Sequence, residues 1–97
     1  MLPRAVHPGE VLKGELDELG ITPTAFARQI AVPPNRVSQI VSGKHAITGD
    51  TALRFGHWFG ADPQFWLNLQ AQYDLAQAHR ATGSAIGRLP TRASVAG

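Results

Sequence analysis

The chain has 97 residues, enough for one domain and too few for two ordinary ones. Its 43% hydrophobic content excludes a wholly disordered chain, no apolar run nears the ~20 residues of a membrane span, and the absence of cysteine excludes disulfides and thiolate metal sites. Net charge is only +2, but four of the seven acids (Glu10, Glu15, Asp17, Glu18) crowd one early stretch, and Leu19 to Gly49 holds no acid while containing Arg28, Arg36 and Lys44.

A locally cationic interval on a nearly neutral chain suits a phosphate-binding face, and chance clustering among few charges explains it equally well. The N-terminal MLPRAVHPGE lacks the apolar centre of a secretory signal, in keeping with a cysteine-free cytosolic protein. Apolar spacing is helical nearly throughout, with no alternating run long enough for a strand. Val11, Leu12, Leu16 and Leu19 trace one face of a first helix that follows Pro8 and stops at Gly20. Ile21, Thr22, Pro23 and Phe26 supply an apolar lead residue, a capping hydroxyl, a first-turn proline and a hydrophobic staple for a second helix reaching about Ile30. Val32, Pro34 and Val37 repeat that spacing, so a third helix is predicted from Pro34 to near Gly43.

Thr48 opens a fourth helix carrying Ala52, Leu53, Phe55 and Phe59 and ending at Gly60. Asp62 and Pro63 begin a fifth, predicted to reach His79. Core packing is expected for Phe55, Phe59 and Trp66, whereas Trp66, Leu69, Tyr73 and Leu75 are the fifth-helix residues expected at a dimer contact. The remainder, RATGSAIGRLPTRASVAG, has three arginines, no acid and little to bury. The expectation is therefore an all-α chain: a compact five-helix domain over residues 1–79 and a flexible tail over 80–97.

Helices two and three are separated by only a short turn, which forces them to cross steeply and needs a small residue at the crossing, supplied by Ala27. On the third helix Val37, Ile40 and Val41 form an inner stripe, while Asn35, Ser38, Gln39 and Ser42 point outward with Arg36 on the flank. Amides, hydroxyls and a guanidinium are the groups that hydrogen-bond base edges. A helix of about nine residues spans about 13 Å, so its first turns fit a major groove. An ordinary solvated face would also be polar; the short turn, the small crossing residue and the acid-free interval favour DNA together, though each is weak alone.

The stretch TAFARQIAVPPNRVSQIVSGKHAITGDTALRFGHWFGADPQFWLNLQAQYDL resembles the Xre-type, lambda-repressor-like helix-turn-helix family, and with HPGEVLKGEL ahead of it resembles the HigA antitoxin branch, over about His7 to Ala78. The resemblance implies a dimeric bacterial regulator that binds double-stranded operator DNA, represses its own operon and neutralises a RelE/HigB-like, ribosome-dependent messenger ribonuclease. It also implies that Pro34, Asn35, Arg36 and Gln39 meet bases, and that Thr22, Thr24, Ser38, Lys44 and, more weakly, Arg28 hold phosphates. Three positions depart from the family pattern. Ala31 stands where the turn commonly has glycine, Pro23 replaces a polar contact residue, and Pro33 stands at a cap where serine or threonine is common. A proline cap has no side-chain oxygen, which leaves the Asn35 and Arg36 amides either to a DNA phosphate or to water.

His7, His45, His57 and His79 are dispersed without ligand companions, so no metal site or cofactor is expected. His7 is expected at the entry to the first helix. Glu15, Asp17 and Glu18 lack an accompanying nucleophile, so no enzyme is expected. Two rival readings remain: a stand-alone repressor of the same fold without a toxin, and a helical protein-protein adaptor.

Overall fold

The computed structural model describes residues 5–96. Helices follow one another as α1 (Pro8–Leu19), α2 (Pro23–Gln29), α3 (Pro34–Val41), α4 (Gly49–Phe59), α5 (Pro63–Gly87) and α6 (Arg92–Ala96), with no strand among the described residues. Local chemistry sets their starts. Proline occupies the first turn of α1, α2, α3 and α5, where its missing N–H costs nothing. His7, Thr22, Thr48 and Asp62 accept amide hydrogens from Gly9, Ala25, Thr51 and Gln64 at 2.9, 3.1, 3.3 and 3.0 Å.

The core lies where α1 to α4 and the first turns of α5 meet. Leu12, Leu16, Phe26, Ala27, Val37, Ile40, Ala52 and Phe55 are almost wholly buried. Phe26 is its aromatic hub, 5.4 Å from the Phe55 ring and 5.0 Å edge-on from Trp58. Of the two expectations for Trp66 the structure favours the core: at 2% exposure, with its ring 5.0 Å from Phe55 and 5.7 Å from Phe59, it leaves almost no surface for a contact with a second copy. A large indole beside the α4–α5 junction buries more apolar area against those rings than it could at a surface.

Three contacts orient α1 and α5 about α3. Gly9 lets α1 approach α3 so closely that an added Cβ would stand 1.8 Å from the Ile40 carbonyl oxygen. Buried Gln70 on α5 accepts from the Ile47 amide at 2.8 Å and donates to Asp74 at 2.9 Å, which ties the segment leaving α3 to α5. His7, also buried, closes a capping box with Glu10 and lies edge-on to Tyr73 with ring centroids 4.8 Å apart.

The C-terminal portion differs from the expected boundary. Helix α5 continues past His79 to Gly87, and α6 lies within the segment read as tail. Residues 80–87 have little to bury, but extending an existing helix avoids the nucleation cost, and no proline interrupts until Pro90. Residues 1–4 and 97 lie outside the described residues. No helix of the described residues is long and apolar enough to cross a membrane.

Replacing Gly9 with alanine should force α1 and α3 apart and lower unfolding stability by about 3 kcal/mol in urea titration, since backbone, not a side-chain end, blocks the new methyl. Burial holds His7 below its ordinary value of 6.5, against the opposing charges of Glu10 and Asp74, and its Nδ1 must stay unprotonated to accept from Gly9. The unfolded chain therefore binds this proton first. His7 contributes stability fully above pH 6.5, lost as pH falls from there through its lowered pKa. Thermal melts between pH 7.5 and 5 should show that decline, and His7→Asn, which keeps a cap oxygen but cannot titrate, should flatten it.

Candidate nucleic-acid interface

Helices α2 and α3 meet at Ala27, which has no exposed surface. The chain leaves α2 by a Schellman ending: the Val32 amide donates to the Ala27 carbonyl at 3.0 Å and the Ala31 amide to the Arg28 carbonyl at 3.3 Å. That geometry needs a left-handed residue, and Ala31 takes it at φ +57°, the only non-glycine with positive φ among the described residues. The match of Ala31 to a position that commonly holds glycine thus marks a real conformational demand.

Arg54 of α4 closes the corner from outside. Its Nη1 donates to the Ile30 carbonyl at 2.8 Å and, more distantly, to that of Ala31 at 3.4 Å. Asp50, one turn earlier, orients the guanidinium through a 2.8 Å bond to Nε. A cation therefore sits on the carbonyl end of α2. Sequence reasoning missed this residue. The Asp50 and Arg54 spacing signals only an exposed i,i+4 pair, because the carbonyls it serves lie 23 and 24 positions away.

The third helix presents the predicted stripe. Val37 and Ile40 are fully buried, Asn35, Ser38, Gln39 and Ser42 are exposed, Arg36 is half-buried on the flank, and Pro34 is exposed at the first turn. A second Schellman ending closes this helix: the Lys44 amide reaches the Gln39 carbonyl at 2.8 Å, the Gly43 amide reaches that of Ile40 at 3.0 Å, and Gly43 is left-handed at φ +78°. Lys44 is thereby held, exposed, at the end of α3. Thr22 and Thr24 are exposed at the start of α2, and Arg28 is exposed near its end. The Thr22 oxygen already accepts from Ala25, leaving its hydroxyl hydrogen to donate.

Pro33 gives no side-chain cap. The expectation of two unserved amides needs correction, because the Arg36 amide turns back to the Pro33 carbonyl at 3.0 Å. A 3₁₀-type bond tightens this first turn, and of the two amides only that of Asn35 is left over.

The expected dimer residues separate. Trp66 is core; Leu69 is half-buried against it; Tyr73 is half-buried beside His7, its hydroxyl accepting from Gln77 at 2.7 Å; Leu75 is 72% exposed.

Two helices joined by a tight left-handed turn, the second bearing a polar outward stripe, define a helix-turn-helix regulator. No protein-family model matches the chain. It is 46% identical over 77 residues to virulence-associated protein I of Dichelobacter nodosus, covering 78% of this chain and 71% of that protein. It is 40% identical over 73 residues to antitoxin HigA-1 of Vibrio cholerae, covering 74% and 69%. The antitoxin HigA of Pseudomonas aeruginosa, solved with the higBA promoter, superposes with a TM-score of 0.88 at 41% identity, covering 92% of this chain and 98% of that one. The chain belongs to the HigA antitoxin family of helix-turn-helix transcriptional regulators.

Removing the clamp with Arg54→Ala should cost about 1–2 kcal/mol of unfolding free energy. Relieving the turn with Ala31→Gly should add about 0.5–1 kcal/mol, the strain released exceeding the entropy gained by the unfolded chain. Paired chemical denaturation curves measure both.

Proposed function

We infer that the chain is the antitoxin of a type II toxin-antitoxin pair: a cytoplasmic dimer that binds operator DNA through the outer stripe of α3, represses its own operon and neutralises a RelE/HigB-like ribonuclease. The observation that carries the DNA reading is the joint exposure of Asn35 and Gln39, with Arg36 beside them, on a corner closed by Ala31 and Arg54. The promoter-bound HigA of Pseudomonas aeruginosa, similar over nearly its whole length, supports it.

In this reading Pro34, Asn35, Arg36 and Gln39 meet base edges in the major groove. Gln and Asn pair well with adenine and Arg with guanine. Thr22, Thr24, Ser38 and Lys44, with Arg28 a weaker contact, hold the phosphates on either side, and the Asn35 amide adds a donor at the open end of α3. Two copies joined through α5, with Leu69, Tyr73 and Leu75 as the contact residues, would place two such helices about 34–36 Å apart on a palindrome. The toxin reading is supported by the names of the relatives, which include antitoxins, and co-purification of the operon's products tests it.

Gel shifts against the chain's own promoter should show specific binding; none at low salt would overturn the DNA reading. Arg36→Ala or Gln39→Ala should relax preference at a single base pair by about 1–3 kcal/mol. Lys44→Ala should instead weaken binding to all sequences alike and reduce the log-log salt slope by about 1.

A further inference from the structure

On α1 the residues that pack inward are Gly9, Leu12 and Leu16, with Gly9 against α3. Val11, Glu15 and Glu18 follow the other side of the helix. There a pocket of about 220 Å³ opens between α1 and the α4–α5 junction, lined by Val11, Glu15, Phe59, Ala61, Phe65 and Trp66. Its apolar wall reaches the surface at Phe65, which is 48% exposed. The charge beside it points to an occupant. Asp17 is paired with Lys13, whereas Glu15 and Glu18 are exposed with no ion pair among the described residues.

We propose that this pocket docks a basic protein, which seats one apolar side chain against Val11, Phe59 and Phe65 and sets flanking lysine or arginine on Glu15 and Glu18. The proposal rests on the toxin reading, because a ribonuclease needs a cationic surface to hold RNA and so is the basic partner that function supplies. It adds where that partner binds. The dock lies on the side of α1 turned away from α3, so operator DNA and the partner protein bind together and do not compete.

The test uses the full chain and the product of the gene adjacent to its own. Glu15→Lys with Glu18→Lys, and separately Phe65→Ser, should each weaken the complex by about tenfold or more in titration calorimetry. Operator gel shifts should be unchanged for both, which shows that they fold, and Leu53→Ser, exposed on α4 away from the pocket, should leave the complex intact. A complex that tolerates the pocket variants within about twofold overturns the docking site and spares the toxin reading. Failure of the unsubstituted chain to bind the neighbouring product overturns both.

Discussion

The direction of α3 depends on how the short turn after α2 is closed. A seven-residue helix has no independent stability in water, so α2 cannot aim its successor unless both of its ends are held by the rest of the fold. At one end Thr22 caps the first turn and buried Phe26 anchors the helix among the rings of α4. At the other, Ala31 adopts a left-handed backbone while Arg54 binds the carbonyls of Ile30 and Ala31. The local strain at Ala31 is offset by a cation placed where the helix dipole is negative. Without the guanidinium, those carbonyls would turn to water and the corner would lose both bonds that Arg54 gives it from α4.

The remaining scaffold holds α3 from behind. Gly9 admits α1 against the Ile40 carbonyl, and Gln70 fastens the Ile47 amide to α5 after the helix has ended. His7 caps α1 and packs on Tyr73, so one buried imidazole serves both the first helix and the longest. The two ends of α3 are consequently unlike. Its C-terminus is closed by Gly43 and Lys44, whereas its N-terminus, behind Pro33, retains an unserved Asn35 amide. An end closed by backbone and an end open toward solvent give the helix one direction in which it can meet an anion.

Features governed by neighbours in sequence are legible in the sequence itself. Caps and first-turn prolines place the helix starts, the spacing of Val37, Ile40 and Val41 separates the inner stripe of α3 from the outer, and the alanine at a turn commonly occupied by glycine foretells positive φ. Features governed by distant partners are not. Arg54 and Gln70 act on backbone groups more than twenty positions away, and neither side chain differs in sequence from an ordinary surface residue. Trp66 fits both core and surface by sequence, because an amphipathic pattern cannot say which of two apolar faces the chain itself will cover. The length of α5 escapes for a third reason: lack of burial suggests lack of helix, although elongation needs only an existing turn and no breaker.

Charge segregation links the two proposed surfaces. Acids on α1 would repel phosphates if they lay beside α3's outer stripe, yet α1 packs on the buried side of α3. Packed helix axes are separated by about 8–10 Å, and the side chains on their outer faces stand farther apart still. At physiological salt the screening length is about 8 Å. The repulsion is therefore largely extinguished across the domain, while the attraction of Arg28, Arg36 and Lys44 acts at contact distance. A chain of net charge +2 can in this way present a cationic face to DNA and an acidic face to a basic protein. Because each face repels the other's ligand, the same arrangement that permits both to bind also discourages the basic partner from occupying the DNA-binding stripe.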